Sequence, residues 1–150
     1  MERIICLAIG YLFGMFQTSY IIGKIHHMDI RQYGSGNAGT TNALRTLGKK
    51  AGAMTLIGDM LKCVIAILIV DAVFKNRYQE ILPLLGMYTA AGCVLGHNFP
   101  FYLGFRGGKG IAASAGMLLA MDWRVFLICA VIFIGLVAIT RYVSLGSMAA

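Results

Sequence analysis

The chain has 150 residues, 59% of them hydrophobic and only 13% charged, with a formal net charge of +7. A soluble domain carries about 25% charged residues, so this composition excludes an ordinary water-solvated core and points to helices solvated by lipid. The surplus of cations suits anionic lipid or anionic substrates. Those cations sit in short stretches between apolar segments rather than along one soluble face, which excludes nucleic acid as a partner.

Residues 4–23 are free of charge and match the ~20 residues that a helix needs to cross the hydrocarbon core. No small-residue cleavage site follows, so the segment is expected to stay rather than be removed as a leader. His26 and His27 fall where this first helix leaves the bilayer.

A polar stretch comes next, Gly34-Ser35-Gly36-Asn37-Ala38-Gly39-Thr40-Thr41-Asn42, with Arg45 one helical turn beyond Thr41. Glycines let backbone N–H groups approach an anion closely, and the short polar side chains and the cation add to that. The plainer alternative is a tight turn whose Ser and Asn cap a helix. The spacing of Gly34, Gly36 and Gly39 formally matches a dinucleotide fingerprint, and Asp59 stands downstream where an acidic residue is wanted. The fingerprint requires a buried strand before it; none precedes this one, and Asp59 belongs to an apolar helical run.

That run, 51–74, is the second hydrophobic segment, interrupted by Asp59, Lys62 and Asp71. Asp59 and Lys62 are three apart, close enough to touch on one helix face. Charges within the bilayer are costly. The two are expected either to neutralise one another facing the bundle, or to buttress the first loop or line the site.

Segment 81–105 carries no Lys, Arg, Asp or Glu, and a helix from 81 to about 95 leads into a second polar stretch. It comprises Gly96-His97-Asn98-Phe99-Pro100 and, after Gly104, Arg106-Gly107-Gly108-Lys109-Gly110. A nucleotide-binding P-loop needs Ser or Thr where Gly110 stands and Gly where Leu103 stands, so a nucleotide triphosphatase is excluded. His97 is open to two roles, general base or hydrogen-bonded structural residue at a helix end.

Segment 111–121 is too short to span the bilayer unless the loop before it is sunk into the protein, and 125–140 is also slightly short. Cys6, Cys63, Cys93 and Cys129 lie inside apolar segments without a C-x-x-C pair and are expected to pack as small hydrophobes. Small residues such as Gly58, Gly86, Gly92, Ala112, Ala113 and Gly116 allow close helix packing.

The fold expected is therefore all-α, a single polytopic transmembrane helix bundle over 1–150 with about five hydrophobic segments. Lys24, Arg31, Arg45, Lys49 and Lys50 face only Asp29 in the first loop, and Arg106 and Lys109 add to the second, while the opposite connections are balanced. The positive-inside rule then places both glycine-rich loops in the cytoplasm and the N-terminus outside.

The residues at 34–42 with Arg45, then Asp59 and Lys62, then the stretch from Gly96 to Gly110, resemble the bacterial acyl-phosphate:glycerol-3-phosphate acyltransferase family. The resemblance implies a multi-pass enzyme of the bacterial inner membrane, working without metal or cofactor. It implies acyl transfer from acyl phosphate to the 1-hydroxyl of glycerol 3-phosphate, giving lysophosphatidic acid and phosphate. Its first motif supplies Ser35 and Arg45, and its second, around Gly104 to Gly110, is associated with glycerol 3-phosphate.

Residues by the resemblance in contact with substrate are Gly34, Gly36, Asn37, Gly39, Thr40, Thr41, Asn42, Gly104, Arg106, Gly107, Gly108, Lys109 and Gly110, with Ser144 or Ser147 at the start of a further region. Arg45 and Lys109 are expected to bind phosphate, Ser35 to orient a reacting group, and the substrate itself or His97 to take the hydroxyl proton. The family continues into another helical segment and a third motif containing His, Asn and Glu, so the chain is expected to be a shortened member. The competing expectations are a transporter for a phosphorylated metabolite and an inactive membrane fragment.

Overall fold

The structure, a computed structural model, describes residues 1–141 and 143. Ser144 and Ser147 lie outside the described residues. Seven α-helices follow one another among the described residues: α1 Glu2–Gly14, α2 Thr18–Ile25, α3 Thr40–Leu47, α4 Lys49–Phe74, α5 Leu82–Asn98, α6 Ile111–Met121 and α7 Trp123–Thr140. Single 3-10 turns fall at Ile30–Gln32, Gln79–Ile81 and Phe101–Leu103. No strand occurs among the described residues.

The five hydrophobic segments appear as α1 with α2, α4, α5, α6 and α7. By length and composition the spans Glu2–Ile25, Lys49–Phe74 and Trp123–Thr140 are long and apolar enough to cross a membrane, and α6 is a shorter apolar helix. The residues of α7 include none that are buried. A helix apolar all round and left uncovered is stable in lipid rather than in water.

The first segment departs from the expected continuous helix. It breaks at Met15–Phe16–Gln17 into α1 and α2. A break inside a bilayer frees backbone carbonyls, which must find donors within the protein. Lys62 of α4 supplies them: its Nζ donates to the carbonyls of Gly14 at 3.1 Å and Phe16 at 2.7 Å. Local propensity does not dictate the break; a cation 46 residues away makes it tolerable.

Helix α5 runs to Asn98, about one turn further than expected, so His97 is helical and buried. The first polar loop also contains more structure than expected, since 40–47 closes into α3. Gly48, at φ +91°, separates α3 from α4 in a backbone region that only glycine enters readily. At α7, the Asp122 carboxylate caps the helix by accepting from the Arg124 and Val125 N–H groups.

The chain reverses between successive long helices. The C-terminal ends of α2 and α5 and the N-terminal ends of α4 and α6 therefore gather at one end of the bundle. Helix α1 packs most extensively on α5, and α4 on α6. Close approach comes from glycine. A side chain at Gly10 or Gly14 would overlap α5 backbone at Thr89 or Cys93, and one at Gly92 or Gly96 would overlap α1 backbone at Leu7 or Tyr11.

Candidate active site

The two glycine-rich stretches touch. The Ala38 N–H donates to the Gly107 carbonyl at 3.3 Å, and the Cβ position of Gly39 lies 4.0 Å from Gly108 Cα. Arg31 ties the same seam from the side: its Nη1 donates to the Leu103 carbonyl at 2.8 Å, while Nε and Nη2 grip Asp29 at 3.0 and 2.7 Å. Its guanidinium also lies 5.2 Å from the centre of the Tyr20 ring. Arg31 was counted in the sequence only as one cation among several. The signal available for its role was Asp29 two residues before it, a spacing that suits an acceptor for both the Arg31 amide and the guanidinium.

The guanidinium holds the Asp29 carboxyl below the usual carboxylate range. Its share of stability is therefore present above the ordinary carboxylate pKa and is lost only as acidification passes the lowered value. Arg31→Ala is expected to loosen the seam without unfolding the bundle. Trypsin or amide exchange should find residues 99–106 more accessible in the variant; unchanged protection would remove the staple.

Inside the first loop, Asn42 is 2% exposed. Its Oδ1 accepts from the Ser35 N–H at 2.9 Å, and its Nδ2 donates to the carbonyls of Ile30 and Tyr33, each at 3.0 Å. Both amide protons are engaged, and the side chain braces the loop from beneath. Gly34, at φ +59°, closes over it, and a side chain there would overlap Asn42 Oδ1. Gly36 turns at φ +71°. The arrangement leaves Ser35 exposed at the loop tip.

Ser35, Arg45, Arg106 and Lys109 are all exposed at the loop end, and their side chains have no protein partner among the described residues. Asp29, Arg31, Gln32, Gly36, Gly104 and Arg106 line a cleft of about 480 Å³ between the loops. At and beside the seam, buried Asn37 Oδ1, Thr40 Oγ1 and Asn98 Oδ1 lack hydrogen-bond partners. Buried polar atoms are nearly always satisfied. Unpartnered ones beside the seam mark where a polar partner would fit.

The second loop is moulded onto the end of α5. The Gly107 and Gly108 N–H groups donate to the carbonyls of Asn98 and His97, both at 3.0 Å. Side chains there would overlap the His97 carbonyl and the His97 ring respectively. Gly110, at φ +78°, starts α6. His97, open to two roles, is 2% exposed, with Nδ1 2.7 Å from Lys62 Nζ. Gln17, which the sequence did not single out, donates from Nε2 to the His97 carbonyl at 2.7 Å.

Asp59 and Lys62 form an ion pair at 3.0 Å, 1% and 4% exposed. The pair neutralises itself within the bundle, and the ammonium reaches the α1–α2 break and His97 beneath the second loop rather than the first loop. No group of three or more metal-ligating side chains occurs among the described residues.

Fold and site together define a helical integral-membrane protein with two joined glycine-rich loops and exposed cations at one end of its bundle. The chain belongs to the glycerol-3-phosphate acyltransferase family, whose sequence model matches residues 4–150. It is 55% identical to a glycerol-3-phosphate acyltransferase of Clostridioides difficile (strain 630), covering 97% of this chain and 71% of that one. It is 46% identical to the corresponding enzyme of Lactiplantibacillus plantarum (strain ATCC BAA-793 / NCIMB 8826 / WCFS1), over 100% of this chain and 70% of the relative. The fold is similar to the crystal structure of PlsY (YgiH), an integral membrane glycerol 3-phosphate acyltransferase, in its glycerol 3-phosphate form. The TM-score is 0.83 at 35% identity, covering 99% of this chain and 72% of the other. A lysophosphatidic acid form of the same protein matches with a TM-score of 0.81 at 34% identity.

Proposed function

We propose that this chain transfers an acyl group from acyl phosphate to the 1-hydroxyl of glycerol 3-phosphate, at the cytoplasmic face of the bacterial inner membrane. The contact between the two glycine loops, made by the Ala38 N–H and the Gly107 carbonyl, carries this reading. It puts both sets of amides and cations within reach of two anionic headgroups at once. The concentration of cations at this end of the bundle supports its cytoplasmic placement.

The hydroxyl oxygen attacks the acyl carbon, the bond from that carbon to the phosphate oxygen breaks, and lysophosphatidic acid and phosphate leave. Acyl phosphate is a mixed anhydride with a good leaving group, so no covalent acyl-enzyme is required. Positioning and charge stabilisation supply the acceleration. Arg45 and Lys109 hold phosphate oxygens, and the Thr40 hydroxyl and loop amides add hydrogen bonds. Ser35 orients the reacting group. The hydroxyl proton passes to a phosphate oxygen of the substrates, since His97 is buried with its Nδ1 engaged by Lys62.

The test is transfer from acyl phosphate to labelled glycerol 3-phosphate in detergent or nanodiscs. Ser35→Ala, Arg45→Ala and Lys109→Ala are each expected to lower kcat/KM by roughly tenfold to a hundredfold, the range of one charge-assisted hydrogen bond. Near-normal rates in all three would remove these roles. Flux of glycerol 3-phosphate across sealed vesicles without lysophosphatidic acid would favour transport instead.

A further inference from the structure

One buried ammonium joins three parts of the molecule. Lys62 Nζ lies 3.1 Å from the Gly14 carbonyl, 2.7 Å from the Phe16 carbonyl, 3.0 Å from Asp59 Oδ1 and 2.7 Å from His97 Nδ1. Two carbonyls and a carboxylate accept only. Lys62 is the cation of the buried ion pair with Asp59; its ammonium has no lone pair and can only donate, sharing its three protons among the four neighbours. His97 Nδ1 must then be an acceptor as well.

A neutral imidazole that accepts at Nδ1 carries its proton at Nε2. That nitrogen lies where a side chain on Gly108 would be, so the Nε2–H edge of the ring packs under the second loop. The His97 carbonyl meanwhile accepts from the Gly108 N–H at 3.0 Å and from Gln17 Nε2 at 2.7 Å. The ring and backbone of His97 thus form the floor on which Gly107 and Gly108 rest, and Lys62 sets the orientation of that ring.

We infer that Lys62 is a positioning residue for the acyl transfer proposed above: it locks His97 as the Nε2–H tautomer and so holds the 107–110 loop in the shape that receives glycerol 3-phosphate. The inference rests on that function. Lys62 touches neither substrate; its effect passes through His97 and the loop. Locked this way, His97 has no ring lone pair free to act as a base.

Nitrogen-15 spectra of labelled protein in nanodiscs decide the first half. The sequence holds three histidines, so a His26→Gln/His27→Gln background isolates the His97 ring. The expected spectrum shows an unprotonated Nδ1 and a protonated Nε2. A proton on Nδ1, or a doubly protonated ring, overturns the inference before any further variant is made.

Kinetics in the same background decide the second half. Lys62→Met is expected to lose the single-tautomer spectrum and to raise KM for glycerol 3-phosphate about tenfold or more, with a smaller fall in kcat. An unchanged KM overturns the link. Where Lys62→Met does not fold, Lys62→Arg serves: keeping a cationic donor, it is expected to hold the tautomer and a KM within about threefold of the parent. An Arg variant that holds the tautomer yet raises KM tenfold also overturns the link. Absence of acyl transfer in the Lys62-containing protein would overturn the proposed function, and the tautomer spectrum would still report on the ring by itself.

Discussion

Asp59→Leu is expected to destabilise the bundle by about 3–5 kcal/mol, the cost of leaving one member of a buried ion pair without its partner. The Asp59 carboxylate is the only anion bonded to Lys62 among the described residues, and both side chains are almost entirely buried. Thr18 also reaches it, donating from Oγ1 at 3.1 Å, so the substitution cuts α2 from α4 as well. Reversible unfolding of the reconstituted protein in SDS gives the measurement.

The double variant Asp59→Leu/Lys62→Met makes the prediction specific. In general, replacing a buried pair by apolar groups of similar size is often neutral. Here it strands the Gly14 and Phe16 carbonyls, which Lys62 satisfies, and unsatisfied carbonyls are expensive in the bilayer. Stability is therefore expected to rank parent, then double variant, then Asp59→Leu. A double variant as stable as the parent would mean that the helix break has no need of the cation.

Much of this architecture was legible in the residues because it is local. Charge-free runs mark helices, and the cations and glycines of 34–45 and 96–110 mark two loops placed at one end by the alternation of those helices. The spacing of Asp59 and Lys62 announced their contact. What lay beyond reach was non-local. Residues 4–23 contain nothing that forbids a continuous helix, and the break at 15–17 depends on Lys62 from another helix. Asn42 carries the same residue type as a ligand would, and only the folded loop reveals that both its amide protons are used by Ile30 and Tyr33. Arg31 likewise looked like a free cation until Leu103 and Asp29 closed around it. The pairs Gly10/Gly14 and Gly92/Gly96 did carry a signal, the small-xxx-small spacing of close membrane helices, but their mutual facing is tertiary.

Those facing pairs lead to the second large expected effect. Gly96→Ala puts a methyl group into the backbone of α1: it would overlap the Tyr11 carbonyl oxygen and press on Tyr11 C and Met15 N at 3.0 Å. Backbone cannot rotate aside as a side chain can, so the helices must separate. Overpacking of this kind typically costs about 1–3 kcal/mol, and here the displaced element is the end of α5. The bonds from Tyr11 Oη to the Phe99 carbonyl at 2.8 Å and from Gln17 to the His97 carbonyl at 2.7 Å would stretch together, moving the seat of the second loop. Both stability and acyl transfer are expected to fall, activity by about tenfold or more if the loop amides lose even one charge-assisted bond. Gly135→Ala is the control. Among the described residues nothing lies within 4 Å of its Cβ position on helix α7, so the same chemical change there is expected to be neutral or to stabilise by up to about 1 kcal/mol. If the two variants behave alike in SDS unfolding and in the transfer assay, close packing of α1 on α5 is not what holds the active-site end together.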